Sequence, residues 1–408
     1  MYRMFFVLII PLLAIVLYSC QSQSVSSSDC ENELWSQCKV VATRDIVNGD
    51  TVINCHIGWV DYDKTLQVPL SMLVDSLRVI RLESSEEAFT GIGTCDFSEN
   101  YIAVVERMRD APCKLFTKDG KFISNLGGFG QGPGEYLSNP RSIEIDEDNE
   151  RLFIFANNSN KILEYDLSGT LIREIPLAHK GLGGHVKVDY RNSKILVVQI
   201  YFENKGHLYG CPVWIQDFEG NAIWQAYDPI ESMQGGFSND PWLYQRNKNG
   251  IELYFVRPHA IQDSAYLFDM SSHRIRPIFT ATFDGNVPEH YYLKIGSRYI
   301  VAPTHFGIDN NDWDTGDRHI LVDTKTLKGA YTEIYNDFLG GIELDLEQAF
   351  HTPNGYFHLL MEPGELLDRI ETRLQEPGVT DSEREMLTDL FQDISPDDNS
   401  YVIYGHYK

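Results

Sequence analysis

The residues best suited to catalysis in this 408-residue chain are two histidines and an arginine. Arg257 stands two positions before His259, and His305 follows later in the chain. A neutral imidazole can act as a base near pH 7, and a guanidinium can stabilise the charge of an enolate-like intermediate. The sequence has no nucleophile elbow, zinc-binding helix or paired-carboxylate motif beside them. Structural histidines are therefore the leading interpretation, and catalysis by these three residues is the alternative.

A glycine-rich stretch from Gly127 to Gly134 has the composition of a phosphate-binding loop. Such a loop requires a following Lys-Ser or Lys-Thr pair and a helix N-terminus, and here neither follows. The stretch is better interpreted as a connection between strands, in which glycines adopt positive φ and Pro133 fixes the turn. Contact with a ligand is the alternative, and Glu135 is expected to bond to neighbouring backbone.

Oxygen-bearing side chains crowd one predicted loop, a composition that can bind calcium. They are Asp309, Asn310, Asn311, Asp312, Asp314 and Asp317. The loop lacks the twelve-residue EF-hand pattern and its closing Glu, so a solvated turn is the favoured interpretation. Zinc is disfavoured as well, because no two cysteines have the close spacing of a metal knuckle. We therefore predict no metal and no cofactor.

These residues must be positioned by a unit that returns about every fifty residues: two short apolar runs, a polar turn and another apolar run. The copies align on their turns, which are Lys118-Asp119-Gly120, Ser168-Gly169, Glu219-Gly220, Ser271-Ser272 and Thr324-Lys325. An Asp or Ser that bonds its own backbone, followed by a Gly with positive φ, is typical of a hairpin. With two more strands upstream of each turn, every unit has four strands.

Five copies are recognisable, and a sixth is interrupted. They span Gly91 to Leu126, Ser142 to Ile175, Val186 to Ala226, Ile251 to Thr282 and Tyr291 to Ile334, and the sixth combines Gly341 to Phe350, Tyr356 to Met361 and Tyr401 to Tyr407. Six such units predict an all-β, six-bladed propeller of four-stranded blades. A β-solenoid is disfavoured because its rungs are much shorter. The last strand would close the ring with Leu66 to Leu70 or Leu77 to Leu82.

In a propeller, the blade-to-blade connections and the loops between second and third strands surround one mouth of the channel. The candidate ligand-binding residues on that face are Arg107, Arg109, Asn157, Asn158, Tyr201, Glu203, Arg257, His259, Thr304 and His305. Binding residues concentrate on loops that a rigid scaffold carries. This mixture suits a polar ligand such as a sugar or peptide.

The N-terminus predicts export and a membrane tether. Residues 1–19 read as a signal peptide, with Arg3 ahead of an apolar run from Phe5 to Leu17 that is too short to span a bilayer. Cys20 at its end resembles the acylated first residue of a bacterial lipoprotein; a plain cleaved signal is the alternative. Residues 20–40 form the lipidated cysteine and a flexible tether. Residues 41–408 are predicted to be a single propeller domain.

Six further cysteines permit disulfides in an exported chain, and Cys30 with Cys38 is the most plausible pair. Cys95 and Cys113 fall on strands and suit small buried apolar positions equally well. The net charge of −25 excludes nucleic acid as a partner, because phosphate binding needs clustered Lys and Arg. A soluble acidic surface accounts for this charge.

A helical insertion interrupts the last blade at about residues 364–392. Apolar residues spaced by three or four predict two amphipathic helices that break at Pro377-Gly378. We expect them to pack against the propeller rim, and a partner-binding surface is the alternative.

One signature indicates a family. Gly130-Gln131-Gly132-Pro133-Gly134-Glu135-Tyr136 follows the outer strand of the first blade, after Phe116 to Ile123. This resembles the six-bladed β-propeller lipoproteins of Bacteroidota, which are similar to NHL-repeat and TolB-like propellers. The resemblance covers about Leu66 to Lys408 and implies fold and location rather than an activity. Some NHL-like propellers are lyases that use His and Arg across the channel. The resemblance to them implies the catalytic alternative described above.

The sequence therefore predicts an envelope lipoprotein, anchored in the outer membrane, that binds a ligand or protein partner through its loop face. A lyase or hydrolase acting on a glycan or lactone in the channel is one alternative. An accessory subunit of an outer-membrane transporter is another. The first acidic residue after Cys20 is Asp29, so the periplasmic and surface faces of the membrane both stay open.

Overall fold

The fold is a six-bladed β-propeller, as the repeat predicted. The structure, a computed structural model, describes residues 34–91, 93–106, 111–138, 140–199, 202–204, 207–209, 211–226, 241–245, 250–255, 263–306, 313–314, 319–349 and 355–408. The described chain begins on the outer rim with five strands. They are β1 (Lys39–Val40), β2 (Ala42–Val47), β3 (Asp50–His56), β4 (Thr65–Pro69) and β5 (Arg78–Arg81).

Blades one to three are antiparallel sheets of four strands, numbered outward from the channel. Blade one contains β6 (Gly93–Phe97), β7 (Tyr101–Glu106), β8 (Cys113–Thr117) and β9 (Phe122–Leu126), and the short strands β10 (Gly128–Phe129) and β11 (Glu135–Tyr136) follow it. Blade two contains β12 (Pro140–Asp146), β13 (Arg151–Ala156), β14 (Lys161–Asp166) and β15 (Leu171–Pro176). Blade three contains β16 (Gly184–Asp189), β17 (Lys194–Gln199), β20 (Val213–Gln216) and β21 (Ala222–Ala226), with the hairpin of β18 (Phe202–Asn204) and β19 (His207–Tyr209) between its second and third strands.

Blades four and five follow the same order. Blade four contains β22 (Pro241–Gln245), β23 (Gly250–Phe255), β24 (Ser264–Asp269) and β25 (Arg274–Thr282). Blade five contains β26 (Glu289–Ile295), β27 (Arg298–Phe306), β29 (His319–Asp323) and β30 (Lys328–Tyr335), with β28 (Trp313–Asp314) paired to the end of β27. Blade four begins one strand earlier than the repeat predicted, because its first strand is Pro241–Gln245 rather than the run at Ile251.

The N-terminal strands widen two blades, a feature that the repeat did not predict. Strand β3 pairs in parallel with β25, and β2 pairs with β3, so the sheet of blade four has six strands. Strand β4 pairs in parallel with β30 of blade five, with Leu66 opposite Thr332. The run from Leu66 to Leu70 therefore extends blade five and does not close the ring.

Blade six closes the ring with strands from both ends of the chain, as predicted. Strands β31 (Tyr356–Met361) and β32 (Tyr401–His406) pair with each other, and Val402 of β32 lies opposite Ile80 of β5. The predicted strand from Gly341 to Phe350 is wrong within the described residues: a 3-10 turn spans Leu339–Gly341, and helix α1 spans Leu346–Ala349.

The reason for that difference lies in how the helical insertion docks. Gly340 has a φ of 65°, and a Cβ there would lie 2.7 Å from Leu387 of the insertion. The guanidinium of Arg373 donates to the Gly340 carbonyl at 2.8 Å, so this carbonyl bonds a helix side chain. The turn at residues 339–341 therefore forms the surface on which the two helices pack.

The insertion itself forms two helices, as predicted. They are α2 (Pro363–Gln375) and α3 (Asp381–Asp393), and the chain turns between them at Gly378, whose φ is 88°. Thr380 and Glu383 form a capping box that satisfies the first backbone N–H groups of α3. The fully buried residues Leu366, Ile370 and Leu387 join the largest hydrophobic core, which confirms packing against the propeller.

The remaining cores lie between neighbouring blades. In blade two, Leu152 and Ile154 of β13 pack towards blade one, whereas Phe153 and Phe155 pack towards blade three. Because each blade is covered on both faces, its central strands are continuous apolar runs instead of alternating ones. Cys38, Cys55, Cys95, Cys113 and Cys211 are buried thiols, and Cys30 lies outside the described residues. No helix within the described part of the chain is long and apolar enough to cross a membrane.

The short turns between third and fourth strands repeat one chemistry. In blade two, a carboxylate oxygen of Asp166 accepts hydrogen bonds from the backbone N–H of Ser168 and of Thr170, both at 2.9 Å, and Gly169 has a φ of 86°. Blades four and five lack the glycine, and their positive φ moves one residue on, to His273 (54°) and Leu327 (61°). A slightly longer turn therefore replaces the glycine in these two blades.

Candidate functional site

The innermost strands of the blades begin at one end of the channel, where the blade-to-blade connections reach them. We call this end the loop face. The short turns, from first to second and from third to fourth strand, return the chain away from this end. Residues that could contact a ligand on the loop face must therefore come from the long connections, from the loops between second and third strands or from the starts of the innermost strands.

The structure describes only part of the predicted site. Asn157 and Asn158 lie in the loop between β13 and β14, and Asn158 is exposed with a φ of 52°. Glu203 lies in β18 and Thr304 and His305 lie in β27, but their side chains are outside the described residues. Also outside are Arg107, Arg109, Tyr201, Arg257, His259 and most of the oxygen-rich loop, namely Asp309 to Asp312 and Asp317. The catalytic alternative thus stays a prediction.

The glycine-rich connection from blade one to blade two is folded on its own glutamate. The carboxylate of Glu135 accepts the backbone N–H of Gly132 at 2.6 Å. A Cβ on Gly130 would lie 2.0 Å from the same carboxylate, so a side chain there would have to displace Glu135 from this position. The expectation that Glu135 bonds to neighbouring backbone agrees with this geometry.

Two buried tyrosines hold the ends of this connection. The hydroxyl of Tyr136 accepts the N–H of Cys113 at 2.9 Å, and the hydroxyl of Tyr165 donates to the Gly134 carbonyl at 2.8 Å. Burial raises the pKa of both phenols above the usual range. Both hydroxyls therefore stay neutral at physiological pH and act as fixed hydrogen-bonding groups, which leaves Gln131, Pro133 and Leu137 as the exposed side chains of the loop.

Two glutamines hold the connection from blade two to blade three through hydrogen bonds. The side-chain oxygen of Gln199 accepts the N–H of Leu182, and that of Gln216 accepts the N–H of Ala178, each at 2.9 Å. Both glutamines are completely buried. Since a buried amide without partners would be costly, these residues fix the loop at both of its ends.

The same arrangement recurs where blade six meets blade one. The buried amide of Asn399 accepts the N–H of Thr90 at 2.9 Å and donates to the carbonyls of Glu83 and Ala88 at 2.8 Å. Each of these three connections thus has its own buried polar anchor, and no two anchors occupy equivalent sequence positions. The repeat could not have predicted them.

The starts and middles of the innermost strands place charged groups along the channel. Arg141 begins β12 as an exposed side chain beside the glycine-rich loop, and His185 lies near the start of β16. Deeper in the channel, the buried carboxylate of Glu144 is paired with the ammonium of Lys187. Burial raises the pKa of Glu144, and Lys187 opposes that rise. These residues were missed by sequence reasoning, although their places on the first strand of each repeat could have drawn attention to them.

Two histidines near the channel are held by hydrogen bonds. The Nε2 of His358 accepts the backbone N–H of Cys95 at 3.0 Å, so this imidazole is in its neutral form. His290 contacts the Pro288 carbonyl through Nδ1 at 2.9 Å and the Tyr292 hydroxyl through Nε2 at 3.1 Å. Burial lowers the pKa of His290. Both histidines therefore hold neighbouring elements together.

Within the described residues, no three His, Cys, Asp or Glu side chains come close enough together to hold a metal ion. What the described loop face offers is a rigid rim with hydrogen-bond donors and acceptors. Such a rim suits recognition of a polar group.

Two solved structures of bacterial proteins are similar to this propeller. An inferred exported protein from Bacteroides fragilis NCTC 9343 superposes with a TM-score of 0.57 at 14% identity, covering 88% of this chain and 100% of that protein. A member of the DUF4221 family from Bacteroides vulgatus ATCC 8482 gives a TM-score of 0.47 at 12% identity, covering 82% and 97%. The first likeness supports the fold alone. No curated protein matches this chain.

The family comparison covers almost the whole propeller. Residues 52–406 match DUF4934, a domain of unknown function. The match begins in β3, on the outer rim, and ends at the last residue of β32, so it includes the ring closure and the helical insertion. The chain therefore belongs to the DUF4934 family.

Proposed function

We propose that this chain is an exported, membrane-tethered envelope protein whose propeller binds a polar ligand or a protein partner through its loop face. The observation that carries this proposal is the set of buried anchors under the long connections. Tyr165, Gln199 and Asn399 each hold a different loop in one conformation. Preorganised loops lose less conformational entropy on binding, which is the usual property of a recognition surface.

The location rests on the N-terminal segment. A signal that ends on Cys20 and continues into a polar stretch would leave the propeller on a lipid anchor. The similar Bacteroides fragilis protein is named as an exported protein, which supports the proposal that this chain is exported as well. We place the protein in the cell envelope, at the outer membrane, with its membrane face left to experiment.

The chemistry of the rim favours a glycan or a peptide. Arg141, His185 and Asn158 supply a cation, an imidazole and an amide on fixed backbone. Side chains of this kind hydrogen-bond hydroxyl, carbonyl and carboxylate groups. The rim offers no such advantage to nucleic acid, because the chain as a whole is strongly acidic.

The helices support the transporter-subunit alternative less well. Their apolar residues face inward, with Leu366, Ile370 and Leu387 buried and Leu374 and Phe391 packed against the same core. None of the large apolar side chains that are exposed in the described residues belongs to the helices. A docked subunit would need an apolar surface there.

A thermal-shift screen of the protein against glycans, peptides and divalent ions tests the proposal. A ligand at about a hundred times its Kd adds about 2.7 kcal/mol to the stability of the fold. We expect Arg141→Ala to abolish the shift and Arg191→Ala, an exposed arginine in a short turn of blade three, to preserve it. Two negative results together would contradict the proposal: no ligand shifts the melting temperature, and no envelope protein binds the wild type but fails to bind Arg141→Ala. The loop face would then have no binding role.

A further inference from the structure

Exposed apolar side chains are concentrated on one wall of the propeller. Half of the ten large apolar residues that are exposed among the described residues fall between positions 40 and 62. They are Val40, Ile46, Val47, Trp59 and Tyr62, and each is between 42% and 71% exposed. We call these five residues the N-terminal patch. Elsewhere such residues stand singly, for example Ile172 on blade two and Ile223 on blade three, and single exposures need no explanation.

The patch is built on rigid backbone. The N–H of His56 donates to the Val41 carbonyl at 2.8 Å, and its Nε2 lies 3.0 Å from the hydroxyl of Thr43, which ties β3 to β2. The indole of Trp59 stacks on the His56 ring with 4.1 Å between centroids. Tyr62 packs edge-on against Tyr331 at 5.8 Å. The two aromatic side chains are thus held in place while half or more of each stays in contact with solvent.

The chain enters the propeller at this wall. The ammonium of Lys39 pairs with Asp61 at 2.9 Å, and that of Lys64 donates to the Gln37 carbonyl at 3.1 Å. The first described residues therefore run beside the segment that carries Trp59 and Tyr62. Thirteen residues, 21–33, separate this point from Cys20 along the sequence, and a fully extended chain of that length reaches about 45 Å.

We propose that the N-terminal patch rests on the lipid bilayer and holds the propeller on its edge, with the channel axis along the membrane plane. Tryptophan and tyrosine are the side chains enriched at the membrane interface, where one end of the ring is apolar and the other is wet. Among the exposed large apolar residues of the described chain, those of the patch are nearest in sequence to Cys20, and a clustered apolar surface marks an interaction site. The loop face then looks sideways along the membrane, open to partners.

This inference rests on the proposed lipid anchor, so the test separates the two. Full-length lipidated protein is reconstituted with vesicles of phosphatidylethanolamine and phosphatidylglycerol, one set of which carries brominated acyl chains. Flotation tests the anchor: wild type should float and Cys20→Ser should not. If wild type fails to float, the anchor itself is wrong.

Quenching of tryptophan fluorescence tests the patch. Bromine quenches only indoles that reach the acyl chains, so wild type should lose emission in brominated vesicles and Trp59→Phe should lose none. Phenylalanine keeps the apolar contact, so this variant isolates the signal of Trp59. Tyr62→Ser should reduce the quenching of Trp59, and the matched control Ile223→Ser should not.

Two results would overturn the inference while leaving the anchor intact. The first is floating protein whose quenching is the same in wild type and Trp59→Phe. The second is a dimer in detergent micelles that disappears in Tyr62→Ser, because the patch would then be covered by a second copy of the chain.

Discussion

The short turns and the long connections of this propeller are stabilised in different ways. The short turns between third and fourth strands reuse one device, in which Asp166, Asp217, Asp269 or Asp323 bonds the backbone N–H groups that follow it. The anchors of the long connections occupy no common position in the repeat, and each connection depends on its own buried side chain. The short turns therefore repeat because they serve the scaffold, whereas the connections differ because each shapes a separate part of one surface.

The difference also lies in the solvent exposure of the polar groups. The carboxylates of Asp166 and Asp217 are partly exposed to solvent, although that of Asp323 is buried, and hydrogen bonds outweigh burial in lowering the pKa of Asp166 and of Asp217. The anchors of the connections are buried without charge, as in Gln199 and Asn399. Removing a buried anchor should thus cost far more than removing a turn aspartate.

The largest expected effect comes from Asn399→Leu. This change leaves the N–H of Thr90 and the carbonyls of Glu83 and Ala88 buried without a partner, which should cost about 4 kcal/mol. Asp217→Ala is the matched change in a short turn and should cost about 1 kcal/mol, because water can replace its bonds. Urea unfolding of the two variants measures both. Equal losses would break the distinction between anchors and turns.

Replacing a glycine by alanine should destabilise a short turn more than a long connection, which is the reverse of the order expected for the polar side chains. Gly120 of the first short turn has a φ of 86°, and a Cβ there would lie 2.3 Å from the carbonyl oxygen of Arg81, so Gly120→Ala should cost about 2 kcal/mol. Gly128 in the long connection has open space around it, and Gly128→Ala should be nearly neutral. Thermal unfolding would contradict this reasoning if Gly128→Ala proved the more damaging of the two.

The ring closure offers a test by pH. The Nζ of Lys118 lies 4.3 to 4.9 Å from the ring centroids of Phe97, Tyr356 and Tyr404, and burial lowers its pKa to about 8. The unfolded chain then binds more protons than the folded one between pH 8 and the ordinary lysine pKa. Stability should therefore rise by about 1 kcal/mol from pH 7.5 to 9.5, after allowance for solvent screening and for attraction by the rings.

The variant Lys118→Met should lack this rise. Urea midpoints at the two pH values, measured side by side with wild type, provide the comparison. A wild-type midpoint that is flat or falls over this interval would mean that Lys118 keeps an ordinary pKa.

The smallest expected effect is a gain. Ser193, in the short turn between β16 and β17, has a φ of 51°, which costs a residue with a side chain more than it costs glycine. Ser193→Gly should stabilise the fold by about 0.5 kcal/mol, after the greater freedom of glycine in the unfolded chain is counted. A lower melting temperature would show that the serine hydroxyl matters more than the backbone strain.

The repeat predicted the scaffold because its signal is local. Alternating turns and apolar runs were enough for the six-bladed ring and the two helices, and they left Leu66 to Leu70 and Leu77 to Leu82 as alternatives for the ring closure. It missed the strands that widen blades four and five, since pairing of β3 with β25 joins residues more than two hundred positions apart. It also misassigned Gly341 to Phe350, where the docking of Arg373 overrides the pattern of the other blades.

The candidate site was predicted less well, for the same reason. Asn157 and Asn158 could be placed from the repeat, because their loop follows a regular strand. The anchors Gln199 and Asn399 could not, because each is defined by a partner in a connection of irregular length. Glu144 and Lys187 belong to different blades, and only the closed ring brings them together.

The central claim, that the loop face is the binding surface, is tested most directly by hydrogen exchange with and without a ligand or partner found by the screen. The account predicts added protection in the connections at residues 127–138 and 177–183, and no change in the short turns at residues 147–150 and 190–193. Protection confined to the short turns, or to the helices at residues 363–393, would contradict it.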